Sequence, residues 1–161
     1  MLIFFNTFFF VCHSQMKEKL GKGTVSLEKI IFHSRGLTTY LPKTDFMIDS
    51  DRNIKEAREF YLKGARTGKH YFGYFNGHLK KNEYAKLIEL LETCNLDSMK
   101  FPAKECCDGI ITTMIIYYNG QRKYFRSMTP PPEAEKIILF LNYIGTYTKL
   151  KKTKNVNNFE E

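Results

Sequence analysis

The chain of 161 residues contains no tryptophan, so the bulk of any core must come from its fourteen phenylalanines and ten tyrosines. Its four cysteines include no C-x-x-C pair, which removes the usual zinc-module spacing. It has no G-x-S-x-G, so the nucleophile elbow of the α/β-hydrolases is absent. No apolar run reaches the length of about 20 residues that a membrane-crossing helix needs. Nothing before Lys17 is charged. The sequence therefore declares no chemistry outright, and it is more informative about fold.

At this length the chain fits one domain. Apolar residues make up 43%, an ordinary globular share. The net charge is +8, but the basic residues are scattered, apart from Lys149, Lys151, Lys152 and Lys154. Scattered charge of this kind is the mark of a solvated surface; an acidic partner or membrane surface is the alternative.

Residues 1–11 are a short Phe-rich apolar run, followed by Cys12-His13-Ser14. Small residues three and one positions before Gln15 suit cleavage there, so residues 1–14 are expected to be an export signal, although a basic start is missing. Lipid attachment at Cys12 and an intact N-terminal strand or core helix are the alternatives. Removal of the leader leaves Cys94, Cys106 and Cys107; in an oxidising compartment Cys94 can bridge to either of the other two.

The clearest element is a hairpin running into a helix. Ile110 to Tyr118 is almost wholly β-branched or aromatic, Asn119-Gly120 is a strong two-residue turn signal, and Gln121 to Met128 returns. The two-residue turn predicts the pairs Tyr118 with Gln121, Tyr117 with Arg122, Ile115 with Tyr124 and Met114 with Phe125. Apolar pairs then fall on both faces, so helices should cover one face and something else should touch the other. Thr129-Pro130-Pro131-Pro132-Glu133 opens a helix whose buried stripe is Ala134, Ile137, Ile138, Leu141 and Ile144, with Gly145 as its expected stop. Upstream, strands are expected at Leu27–Ser34 and Thr44–Asp49. Ile54 to Leu62 is ambiguous between helix and a third strand. The aromatic segment Lys69–Leu79 reads as a strand end or ordered loop. A helix is expected over Asn82–Asn95, capped by Asn82, with Tyr84, Leu87, Ile88, Leu91 and Cys94 inward. The expectation is one α+β domain: an antiparallel sheet of about five strands with two helices on one face, in the order βββαββα. Residues 15–26 form a flexible lead-in, 27–150 the domain, and 151–161 a basic and polar tail whose last six residues fray.

Four local constellations invite chemistry. Cys106-Cys107-Asp108-Gly109 is either a reactive thiol beside a carboxylate or a disulfide anchor with an Asp-Gly turn; the carboxylate disfavours a thiolate, so the anchor is preferred. His33-Ser34 reads as a structural strand end. His70 and His78 are eight residues apart without a third ligand, so no metal is expected. The segment around Tyr71, Phe72, Tyr74 and Phe75, with Lys69, Lys80 and Lys81, packs a core or offers a binding surface, with Lys69, Tyr71, Tyr74 and Lys80 as its candidate contacts. Aromatics interleaved with lysine stack nucleic-acid bases, but an exported protein seldom meets nucleic acid, and none is expected here.

From Glu28 to about Tyr147 the chain resembles a family of uncharacterised bacterial domains, domain of unknown function 6438, found largely in exported proteins and lipoproteins, often from Bacteroidota. Pro42 matches the last residue of that family's C-x-G-x-C-P motif. Phe46 and Ile48 match its alternating strand and Asp51 its turn Asp; Gly68 with Tyr71 resembles its G-x-Y; Asp108, Asn119-Gly120 and Lys123 match its late hairpin. The motif's cysteines are replaced by Leu37 and Leu41 and its glycine by Thr39, so thiol chemistry carried by that motif is lost. The resemblance implies a fold and an export route, and no activity.

The functional expectation is an exported or envelope-associated domain, non-enzymatic, that binds an unknown protein or envelope component without a cofactor and meets membrane only through its leader or a lipid anchor. The rival is a small hydrolase or thiol enzyme built on His33, Cys106 or Cys107, and Asp108; a cytoplasmic location is the alternative to export.

Overall fold

A computed structural model describes residues 25–36, 43–61, 70–103 and 109–161, with only the backbone described for Phe60, Tyr61, His70 and Tyr71. Residues 1–14, expected to be an export signal, lie outside the described residues, as do Leu37–Pro42, Cys106–Asp108 and Lys69.

Among the described residues, seven strands form one antiparallel sheet: β1 (Leu27–Gly36), β2 (Thr44–Asp49), β3 (Asn53–Tyr61), β4 (His70–His78), β5 (Ile110–Tyr118), β6 (Gln121–Ser127) and β7 (Lys151–Thr153). Helix α1 (Lys81–Thr93) follows β4, and α2 (Pro132–Tyr147) follows β6. The spatial order is β6-β5-β1-β2-β3-β4-β7, so β1 lies inside the sheet, paired with both β2 and β5.

The sheet is larger than the five strands expected, and its order is ββββαββαβ. Ile54 to Tyr61 resolves as strand because β2 and β4 bond it on both sides; local helix formers such as Lys55, Glu56 and Ala57 yield to that pairing. The aromatic segment is a full strand, β4, despite its glycines. The seventh strand is hidden in what reads as a tail: Lys151–Thr153 pairs with Asn76–Tyr74.

The hairpin has the expected register at every pair, from Tyr118 with Gln121 to Met114 with Phe125. Its turn residues sit at φ 49° for Asn119 and 72° for Gly120, where glycine carries no steric penalty. Alternation sorts β1 cleanly. Ile30 and Phe32 face the helices, opposite Ile48 and Phe46 of β2 and Ile116 and Met114 of β5. Leu87, Leu90 and Leu91 of α1 and Ala134, Ile137, Leu141 and Ile144 of α2 complete the same core, so both helices cover one face. The cap of α1 is Lys80 rather than Asn82; its backbone N–H donates to Glu83 at 3.0 Å. Helix α2 does not stop at Gly145, which is buried inside it: a Cβ there would lie 3.1 Å from the Phe46 ring and 3.3 Å from Thr44 Cγ2, so the glycine permits close approach of helix to sheet.

Beyond β7 the chain does not fray. Residues 154–161 cross to the helix-free face and run over it. Asn157 Nδ2 donates to the Glu56 and Phe75 carbonyls at 3.1 and 3.2 Å, and Glu160 lies over β1, β5 and β6. This strap is what touches the second face of the sheet.

Candidate functional site

The polar centre of the helix-free face is built by three central strands. His33 projects from the interior of β1, three residues short of its end, and is 3% exposed. Its register partner on β2 is Asp45, and on β5 it is Thr113. Because facing residues share a face, Asp45 is delivered to His33 by pairing alone. Its Oδ1 lies 2.8 Å from His33 Nδ1. Arg35, two residues on and therefore on the same face, grips both Asp45 oxygens, Nε to Oδ1 at 3.2 Å and Nη2 to Oδ2 at 3.1 Å. Burial alone would raise the Asp45 carboxyl; the hydrogen bonds from His33 and then Arg35 outweigh it and hold the group below its ordinary value. Arg35 is raised in turn, chiefly by its hydrogen bond to Asp45.

The strap closes this centre. The Glu160 carbonyl oxygen is 2.7 Å from His33 Nε2. Both ring nitrogens are thus engaged, one by a carboxylate and one by a backbone carbonyl. The Glu160 carboxylate accepts from Tyr117 Oη at 2.6 Å and pairs with Arg122 Nη2 at 2.7 Å, with Lys29 Nζ at 3.9 Å. The Tyr117 hydrogen bond first, then Arg122, lowers the Glu160 carboxyl. The same hydrogen bond raises the Tyr117 hydroxyl. Lys29 also stacks over the Tyr117 ring, 4.2 Å from its centroid. Glu161 pairs with Arg35 Nη1 at 2.9 Å. Between them lies a small cleft of about 160 Å³ with His33, Arg35, Thr113, Tyr124 and Glu161 in its wall.

A second buried ion pair sits on the helix face. Glu56, 0% exposed, is held by Arg58 Nε and Nη2 at 2.8 and 3.0 Å, and Arg58 also donates to the Gly145 carbonyl. Burial raises the Glu56 carboxyl, and Arg58 only partly offsets that.

Of the residues singled out from the sequence, His33 lies in this centre, Tyr74 and Lys80 lie elsewhere, and Lys69, Cys106, Cys107 and Asp108 fall outside the described residues. Tyr74 lies on the helix-free face of β4, opposite Ala57 and Thr153. Lys80 is exposed at the start of α1, six residues further along an extended chain and so about 20 Å away. Tyr71 contributes its backbone to β4, and Lys69 lies outside the described residues. His78 Nδ1 approaches Asn53 Oδ1 at 3.3 Å at the surface. Cys94 is buried at the end of α1, with Sγ 3.5 Å from the Glu133 carbonyl; its possible partners Cys106 and Cys107 lie outside the described residues. No three His, Cys, Asp or Glu side chains among the described residues converge as a metal site, and no described helix is long and apolar enough to cross a membrane.

The sequence marks His33 as a strand-end residue and Asp45 only as one of the residues that alternate with Phe46 and Ile48. One signal was available: H-x-R on a strand and an alternating D-F-M-I-D strand after it, since an antiparallel pair can align a His, an Arg and an Asp. The strap residues carry no signal, because a mostly polar segment of eight residues has no periodicity. No family model matches the chain, and no curated protein is significantly similar to it.

Proposed function

We propose that this is a non-enzymatic binding domain of an exported or envelope-associated protein, and that its helix-free sheet face grips an acidic extended segment of a protein partner. The observation that carries the reading is the convergence of Lys29, His33, Arg35, Tyr117 and Arg122 on one Glu-Glu segment, Glu160-Glu161, that belongs to the chain itself. A face that holds two carboxylates and a backbone carbonyl in this way is chemically suited to an acidic peptide, and the strap occupies it in cis. Export rests on the apolar run 1–11 with Cys12-His13-Ser14 and on the resemblance to the exported family.

The hydrolase reading is less well supported. A general base needs one imidazole nitrogen open to a reacting proton. In His33, Nδ1 is engaged by Asp45 and Nε2 by the strap.

The test reverses the strap's charge in the full chain. Glu160→Lys with Glu161→Lys sets the segment against Lys29, Arg35 and Arg122. A fluorescein-labelled peptide with the sequence of residues 154–161 is then titrated by anisotropy. It should bind the variant at least about tenfold more tightly than the unaltered protein. Equal binding to both, or loss of cooperative unfolding in the variant, makes the strap a structural part of the fold and ends the reading.

A further inference from the structure

The solvent side of α2 carries an apolar row that no described residue covers. Leu139, Tyr143 and Tyr147 are 61%, 47% and 69% exposed, at intervals of four residues along the helix. The rings are continuous: Phe140 stacks on Tyr143 at 6.1 Å between centroids, and Tyr143 meets Tyr147 at 5.1 Å. Phe140 packs against the edge of the core, but Leu139, Tyr143 and Tyr147 do not belong to it; the buried α2 contribution is Ala134, Ile137, Leu141 and Ile144.

Lysines stand at the same end of the helix. Lys149 follows Tyr147 by two residues and is exposed. Lys152 is exposed in β7 opposite Phe75, and Phe75 lies beneath Arg58, whose guanidinium reaches the Gly145 carbonyl. That chain of contacts puts Lys152 on the helix side of the sheet, beside the last turn of α2. The acidic residues of α2, Glu133 and Glu135, are confined to its first turn, away from the lysine end.

We infer that this ledge is a peripheral membrane contact, and that its occupant is an anionic lipid surface. Tyrosine presents an apolar ring with a polar tip, which suits the boundary between headgroup and acyl chain. Lysine supplies the complementary charge for lipid phosphates, each one near the surface adding about 1 kcal/mol. The ledge is a convex helix surface rather than a groove, so it lies against a plane more readily than it encloses a peptide. The contact is independent of the helix-free face and of the strap.

The lack of tryptophan provides a clean reporter. Tyr147→Trp places a single indole at the exposed end of the row. With vesicles of phosphatidylcholine containing about a third phosphatidylglycerol, its emission should shift to the blue and the protein should co-sediment; with phosphatidylcholine alone it should do neither. Tyr143→Ser with Tyr147→Ser, and separately Lys149→Glu with Lys152→Glu, should each weaken sedimentation by about tenfold or more while leaving the unfolding midpoint in place. Every variant carries the same apolar residues 1–11, so differences between them report on α2 alone. Sedimentation unchanged in the tyrosine variant, or an indole that stays in water while the protein sediments, overturns the inference. So does failure to sediment with anionic vesicles, which leaves a soluble partner as the occupant.

Discussion

The two faces of one sheet solve opposite problems with the same strands. On the helix side, Phe32, Phe46, Ile48, Met114 and Ile116 are at most 1% exposed, and two helices seal them from water. On the other side the same β1 presents Lys29, His33 and Arg35, and the cover is a single polar strap held by hydrogen bonds and ion pairs. Ile31 and Ile115, paired across β1 and β5, are buried on that second face, so the centre of the sheet is dry on both sides. The helix face gains from area removed from water, which is additive and insensitive to pH. The strap face depends on a few directed contacts to charged groups, which are specific and sensitive to both pH and salt. A face of the first kind holds a fold; a face of the second kind can exchange its occupant.

This contrast can be broken most forcefully from the helix side. Phe46→Ala empties a site against Phe32, whose ring centroid is 5.3 Å away, and beneath Gly145. It should cost about 3–5 kcal/mol in chemical denaturation, with the loss shared by the whole domain. On the strap side, Asp45→Ala leaves His33 buried without its Nδ1 acceptor and should cost about 1–3 kcal/mol. A loss as large as that of Phe46→Ala would show that the polar centre belongs to the folding core. At the hairpin, Gly120→Val forces a β-branched residue to φ 72° and should cost about 1–2 kcal/mol, although nothing lies within 4 Å of the added Cβ. That separates backbone strain from packing.

Acid should divide the two faces. Asp45 and Glu160 are both held below their ordinary values, so the stability they contribute is complete above the usual carboxylate range, about pH 4, and withdraws as pH falls through their lower folded-state values. Glu56 acts with the opposite sign. Its raised carboxyl costs stability at neutral pH, and that cost is relieved as pH falls through its folded-state value. Amide exchange followed as pH falls below 4 should therefore release the strap before β1–β5 opens; simultaneous release would make strap and sheet one cooperative unit. The smallest effect belongs to Glu160→Gln, which keeps a hydrogen-bond acceptor for Tyr117 and removes the charge facing Arg122 and Lys29. The global midpoint should stay in place, while added salt should loosen the strap amides less than in the unaltered protein, only the Glu161–Arg35 pair remaining to be screened.

Legibility in the sequence followed the range of the forces. The hairpin register was readable because Asn119-Gly120 fixes it locally, and the stripe of α2 because helical spacing repeats. Thr44–Asp49 was readable because Phe46 and Ile48 alternate with Asp45, Met47 and Asp49. Strand β3 was ambiguous because its residues favour helix in isolation, and only partners on both sides decide the matter. The centre at His33 was not legible, since Asp45 reaches it through a register between strands and Glu160 through a contact 127 residues away along the chain.

By itself the sequence determined the α+β class, the hairpin with its turn, and the apolar stripes of the two helices, because each is written in spacing between near neighbours. Tertiary structure alone decided that the described residues build a sheet of seven strands, that β1 lies inside it between β5 and β2, that Gly145 is a place of close approach rather than a helix stop, and that residues 154–161 form a strap over a charged face. Those outcomes depend on hydrogen bonds and ion pairs between groups far apart in the chain. Such contacts leave no period in the sequence, so they become visible only when the strands are in register.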